Sequence, residues 1–425
     1  MDNHTPEVRD AHVTRNVLAL IGDFFFFSVG FAFYDPLVVM PAFVNEFTGS
    51  ELIVGVLSAL RVAVITLPQI WAASVLEARP RMKPFLIWSS TLGRLPVLVL
   101  AFAVLWWAET QTWLVIGILA ITVMLFYTSE GLNGVSWPSL VGKVVPEGFR
   151  GRFFGLGQLL SSLGALAAGF LVNNILDQQA WARADRWAVL FICGFVGLMI
   201  SVASMLFIRE EAVPSGTEKP NVRKSLGKMW YYLRADRWLG RVILVQLILG
   251  MGTATFAFFV VRARQVLPGA EAMVGTFLIL QSVGTGTAAV VGGLLVDHVG
   301  SWAAIRVTAI LEALVLVAAA LAGFGVFPFV LYHLVFLLMG YVNGASWWSF
   351  SVYLLALAPE DRRPLYLATS GVLGSITIVG PVVVGALMET VLPEAVFAGA
   401  SVLAMIGLVL AWRLRRGIVS SGLSL

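Results

Sequence analysis

Charge is what this chain has least of. Only 12% of its 425 residues are Asp, Glu, Lys or Arg, against roughly 25% in a soluble globular domain. Cysteine occurs once, at Cys193 within an apolar stretch, so no intrachain disulfide can form. That cysteine and the four histidines are scattered, which leaves no metal cluster and no expected cofactor. A G-x-x-x-x-G-K-[ST] loop is missing, which argues against ATP-driven work by this chain alone and against enzymatic turnover of a nucleotide. The run GTGTAA at 284–289 is like such a loop in letters only, because it lies inside an apolar stretch where small residues serve helix packing. Segments of about ten residues with alternating polarity are also lacking, which excludes a transmembrane β-barrel. The first fifteen residues, MDNHTPEVRDAHVTR, do not have the layout of a cleavable signal, so the first apolar stretch is expected to be retained.

What the chain has in abundance is apolar surface. Apolar residues make up 59% of it and the mean hydropathy is +0.89. Runs of roughly 20–27 residues recur, each enough for a helix to cross a hydrocarbon core of about 30 Å. Twelve spans are expected, at 16–43, 51–77, 84–108, 112–141, 153–176, 187–208, 238–262, 272–296, 303–325, 328–357, 365–388 and 394–412. With the N-terminus inside, 22 of the 28 Lys and Arg fall on inner segments and only Arg183, Arg186, Arg262 and Arg264 on outer ones. This bias predicts both termini in the cytoplasm of a cell with the protein in its plasma (inner) membrane. It also explains the pI near 9.3 without nucleic acid, since no aromatic-and-basic surface lies outside the bilayer.

The longest polar stretch divides the spans six and six. The expected organisation is a cytoplasmic tail at 1–15, a six-helix bundle at 16–208, a linker at 209–237, a second bundle at 238–412 and a tail at 413–425. The linker suits a flexible connector, and its later part, with Lys224, Lys228 and Arg234 among Trp230, Tyr231 and Tyr232, suits equally a helix on the inner membrane surface.

The two halves share a phrase. NGVSW at 133–137 lies in span four and NGASW at 343–347 in span ten. Asn133 and Trp137, like Asn343 and Trp347, are four residues apart and so share a helix face. Asn offers a donor and an acceptor, Trp a flat apolar wall with one N–H, and Gly134 and Gly344 admit a close neighbour. Lining of a solute path and plain helix bridging both remain open for these residues.

Ionisable residues within spans are a more specific signal, because each costs several kcal/mol unless paired or wet. Six qualify: Asp23, Asp35, Arg61, Arg94, Glu130 and Glu312. Asp35 lies 13 residues before Thr48 and Arg61 13 after it; Arg94 lies 16 before Thr110 and Glu130 20 after it. The second mismatch amounts to about 6 Å of helix rise. Depth therefore predicts two buried ion pairs, Asp35–Arg61 and Arg94–Glu130, serving either helix joining or substrate and proton handling. Glu130 has Gly340 as its counterpart in span ten, so the charge occurs in one half only. Asp23 has no obvious partner by depth and is a second candidate for proton coupling after Glu130, and His333 near an outer end reads as an interfacial residue.

Paired inner loops carry a family resemblance. GLLVDHVG at 293–300 resembles the G-x-x-x-D-x-x-G signature of the major facilitator superfamily, with Gly293, Asp297 and Gly300 in place. ASVLEARPRMK at 73–83 is similar to a diverged first copy, with Glu77 for the Asp, Pro80 for the second Gly, and the basic Arg81 and Lys83. PEGFRGR at 146–152, with Arg150 and Arg152, resembles the superfamily's inner loop after span four. The resemblance implies an all-α protein of two pseudo-symmetric six-helix bundles rocking about a central site. It implies that spans 1, 4, 7 and 10 line the cavity, that Glu77, Arg81 and Asp297 belong to gating contacts, and that Glu312 in span nine is peripheral. A monomeric secondary transporter of a small solute in the lipid bilayer is the leading expectation, with protons as coupling partner. A non-transporting receptor or assembly factor on the same scaffold is the alternative. Span five lacks the Gly-Pro motif of many exporters, while GSITIVGPVVVG at 374–385 sits in span eleven, so uptake and efflux of amphipathic compounds both stay open.

Overall fold

A computed structural model describes residues 6–76, 80–212, 231, 233–234, 236–269, 273–358 and 363–414. Helices occupy each of the expected spans, some of them interrupted. In chain order the helices are α1 (Pro6–Ala32), α2 (Val39–Thr48), α3 (Glu51–Leu76), α4 (Lys83–Trp107), α5 (Thr112–Val144), α6 (Glu147–Leu176) and α7 (Arg183–Leu206). They continue with α8 (Arg237–Thr253), α9 (Phe256–Val266), α10 (Val274–His298), α11 (Ser301–Gly323) and α12 (Pro328–Leu357). The last are α13 (Arg363–Gly374), α14 (Val379–Thr390) and α15 (Pro393–Trp412). Eleven stretches among the described residues are long and apolar enough to cross a membrane, and α3 supplies a helix in the remaining expected position.

Three expected spans are not single helices, and local chemistry explains two of the breaks. Span one stops at Ala32 and resumes at Val39. Pro36 has no N–H to give and disfavours helical geometry at Asp35. The Asp35 carboxylate then accepts from the N–H groups of Leu37 at 2.9 Å and Val38 at 2.8 Å, holding the turn that precedes α2. Span eleven narrows to a 3₁₀ turn at Ser375–Ile378, one turn before Pro381, whose ring crowds the carbonyl four residues back. Span seven is interrupted between Thr253 and Phe256.

The chain divides into two compact units, one of Met1–Gly49, Leu60–Pro220 and Glu271–Leu278, the other of Ser50–Ala59, Asn221–Ala270 and Ile279–Leu425. In the first, α1 packs on α6 and α7, and α4 packs on α5 and α7. Glycine lets α1 and α7 meet backbone to backbone: a Cβ at Gly197 would lie 2.9 Å from the Cα of Gly30. One end of this unit is closed by Leu20, Phe85, Leu86, Leu140, Val141 and Phe153. In the second unit α11 packs on α12 and α15, and α15 on α8, around Leu239, Ile243, Ile305, Ala309, Tyr353 and Ala411.

The sidedness of α4 is the reverse of a soluble helix. Leu92, Leu95, Val99, Phe102 and Trp106 form an exposed stripe at three- and four-residue spacing, whereas Ser89, Ser90 and Arg94 are buried. Apolar residues outward and charge inward is the arrangement a lipid surround demands.

Candidate functional site: a buried polar network in the first unit

The network is built on four helices of one unit. Asp23 (α1), Arg94 (α4), Glu130, Asn133 and Trp137 (α5) and Ser201 (α7) converge in its interior. Asp23 is 4% exposed and Arg94 1%. Both oxygens of Asp23 are engaged, Oδ2 accepting from the Trp137 indole N–H at 2.8 Å and Oδ1 from the Ser201 hydroxyl. This corrects the expectation that Asp23 has no partner. Depth counting compares neighbouring helices, whereas these partners come from helices distant in sequence and include a serine that hydropathy does not register.

Arg94 is the hub. Its Nη1 donates to the Leu198 carbonyl at 2.9 Å and the Ser201 hydroxyl at 3.0 Å. Its Nη2 lies 3.7 Å from Glu130 Oε1, so the ion pair expected from depth is present, and the guanidinium stands 5.2 Å from the Phe27 ring centroid. Glu130 Oε1 also accepts from Asn133 Nδ2 at 3.2 Å. Asn133 donates to Ser90 Oγ at 3.0 Å and its Oδ1 accepts from Ser89 at 2.6 Å. Trp137 packs edge-on against Phe24 at 4.9 Å and stacks on Phe153 at 6.4 Å. The result is a continuous chain from Asp23 to Ser89, with two carboxylates sharing one guanidinium in a medium of low dielectric, where a buried charge persists only if paired.

Asp35 and Arg61 are placed differently from a bare ion pair. The Asp35 carboxylate accepts from the N–H groups of the turn before α2. Arg61 lies 5.8 Å from the Tyr127 ring centroid, and its buried Nε lacks a hydrogen-bond partner. In span ten Asn343 is exposed, and the side chain of Trp347 lies outside the described residues.

Of the expected gating positions, Glu77 lies outside the described residues, and Arg81, Arg152 and Asp297 are exposed. Arg150 instead closes the C-terminal end of α5, donating to Val145 at 3.1 Å and Gly142 at 2.6 Å. Glu210, read from sequence as mere linker, is a structural residue. Its carboxylate accepts from the N–H groups of Met82 and Lys83 at 2.7 Å each and pairs with Lys143 at 3.1 Å. The signal that could have found it is a lone carboxylate just past a span, opposite the orphan donors of another helix's start. His333 is half-buried and packs beside the Phe329 ring, at 4.4 Å between centroids.

With this geometry in hand, comparison with known proteins decides the family. The model of the Major Facilitator Superfamily matches residues 23–377. The chain belongs to the Major Facilitator Superfamily. It is an integral membrane protein. Its fold is similar to the nucleoside transporter NupG, with a TM-score of 0.66 at 14% identity over 93% of this chain and 97% of that one. It is similar also to a D-xylose-proton symporter, with a TM-score of 0.68 at 13% identity over 94% and 98%. In sequence, 123 residues are 30% identical to the inner membrane transport protein YajR of Escherichia coli (strain K12), covering 26% of each chain. The aligned part thus spans about a quarter of that relative's length.

Proposed function

We propose that this superfamily member is a secondary active transporter that moves a small solute by alternating access and couples it to protons through Asp23, Arg94 and Glu130. The observation that carries the reading is the two-to-one ratio of carboxylates to guanidinium within one chain of hydrogen bonds and an ion pair. With all three groups ionised the network holds one surplus negative charge, and a single proton on either carboxyl cancels it. Glu130, with 16% of its side chain exposed against 2% for that of Arg94, is the member that water and solute reach. Release of its proton restores the ion pair with Arg94, and protonation frees Arg94 to lean on Ser201 and Asp23. Asn133 and Trp137 line the path beside it. The halves at 16–208 and 238–412 move about the linker at 209–237, with Arg81 and Asp297 in the loops that close the inner side, both termini in the cytoplasm, and the chain acting as a monomer.

The test is flux into proteoliposomes under an imposed pH gradient, with a panel of nucleosides and D-xylose, the solutes named for the similar folds. Glu130→Gln keeps size and hydrogen bonding while fixing the neutral form. The expected result is a folded variant that exchanges solute downhill and has lost the response to pH. Full pH-driven flux in a folded Glu130→Gln protein would sink the assignment. An unfolded variant rescued by also neutralising Arg94 would reduce the pair to a structural role.

A further inference from the structure

Glu312 takes no part in the network above, yet it is the most completely enclosed carboxyl group among the described residues, at 0% exposure. It stands midway along α11, and neither of its oxygens has a hydrogen-bond partner. It lies against Gly252, at the end of α8 and just before the interruption of span seven: a Cβ on Gly252 would collide with Glu312 Oε1 and press on the Leu316 side chain at 3.3 Å. No neighbouring charge among the described residues acts on it. The ionisable groups of the elements packed around it are committed elsewhere. Arg241 of α8 lies 4.6 Å from the Trp238 ring centroid. Arg262 of α9 donates to Glu394 of α15 at 2.8 Å. Tyr332 of α12 feels that same pair, and Arg306 of α11 itself donates to the carbonyl of Trp412 at 2.9 Å. Arg237 of α8, His333, Tyr341 and Tyr353 of α12 and Arg264 of α9 are the remaining titratable groups on these elements.

A carboxylate cannot stay ionised there without a partner, because the desolvation cost is several kcal/mol. A metal cation would need several oxygens around it, and the site presents one carboxyl against glycine and leucine; a proton needs one oxygen only. The hydroxyls flanking Gly252 are already turned inward, Thr255 donating to the Gly252 carbonyl at 2.9 Å and Thr253 to the Gly250 carbonyl at 3.0 Å. We propose that Glu312 is a proton-binding site of the second unit that latches the bend of span seven, closed when the carboxyl is protonated and released when it is ionised. Loss of the proton leaves a carboxylate that must gain donors, and α8 and α9 can supply them only by swinging the Thr255 hydroxyl off its own carbonyl or by parting to admit water. The step is O–H cleavage alone, the proton passing to solvent. It stands whether or not the Asp23–Arg94–Glu130 network carries a proton.

Amide hydrogen exchange of the full chain in lipid nanodiscs tests this, with protection factors corrected for the intrinsic pH dependence. In the wild type, protection across residues 250–258 should fall about tenfold per pH unit above the midpoint, the slope that one titrating group imposes. Glu312→Gln should abolish the slope, while Asp23→Asn combined with Glu130→Gln should retain it. Should the glutamine variant fail to fold, Glu312→Met, which leaves no unpaired polar group, carries the same expectation. A slope that survives in either Glu312 variant, a wild type without one, or a midpoint that moves when sodium replaces choline would overturn the proposal.

Discussion

Spans four and ten carry nearly the same five letters, and the molecule uses them for different ends. In α5 Asn133 joins α4 through Ser89 and Ser90 and supports Glu130. In α12 Asn343 is exposed, and the position matching Glu130 is Gly340, where the absence of a side chain lets α12 touch the backbone of Gln281 in α10. The neighbouring Thr285 hydroxyl donates to the Gly340 carbonyl at 3.1 Å, tightening that crossing. One half spends the position on charge, the other on close approach. A duplicated phrase therefore fixes a helix face without fixing its chemistry; what decides is the residue one turn earlier.

Four measurements would break or sharpen this contrast. The largest effect is expected from Arg94→Leu, which strands Asp23 and Glu130 without their counter-charge at a cost of about 3–5 kcal/mol. Thermal unfolding in detergent should show it, and adding Glu130→Gln should return part of the loss. Next is Gly340→Ala, whose Cβ has no room beside Gln281. Overpacking of this kind costs about 1–3 kcal/mol, whereas an alanine tolerated at 340 would mean that the crossing is not the reason for glycine. Third, Asn133→Ala should lose about 1–3 kcal/mol because Ser89, Ser90 and Glu130 each lose a partner, while Asn343→Ala should stay within about 0.5 kcal/mol. Equal losses at the two positions would erase the asymmetry.

The smallest effect belongs to an ion pair outside the spans, a reference for the buried one. Arg183 donates to both oxygens of Glu109, at 3.1 and 2.6 Å, and these hydrogen bonds, with the opposing charge, hold the Glu109 carboxyl below its ordinary range. Both side chains are well exposed, at 39% and 48%, and such pairs contribute about 1 kcal/mol at most. A depressed carboxyl stabilises the fold at pH above its unfolded value and loses that contribution as pH falls through the folded one. A double-mutant cycle should give a small coupling at neutral pH that vanishes in acid. A coupling as large as that of Arg94 with Glu130 would show burial to be irrelevant.

Helix positions were legible because runs of Leu, Val and Phe long enough to span a bilayer announce themselves. The breaks were less so. Pro36 and Pro381 stand in plain view, but hydropathy runs through both, and only the turn held by Asp35 and the 3₁₀ turn reveal an interruption. Counting depth from the turns found Arg94 and Glu130, which sit on consecutive helices. It missed Ser201 and Trp137 as partners of Asp23, because contacts between helices distant in sequence depend on how the bundle closes. Gly252 and Glu312 lay in separate apolar runs with nothing to link them until the Glu312 carboxyl was seen against the glycine.

The glycine crossing of α1 and α7 has a mechanical meaning. With Gly30, Gly194 and Gly197 in backbone contact, the stretch bearing Asp23 and the stretch bearing Ser201 cannot slide past each other without opening a void or a clash. They form a fixed jaw, and Arg94, held by Leu198 and Ser201, is bolted to it. Glu130, at 3.7 Å from Arg94, is the member of the other jaw with play. Any shift of α5 against this jaw is felt at three places at once: the Glu130–Arg94 pair, the Trp137–Asp23 hydrogen bond and the bonds of Asn133 to Ser89 and Ser90.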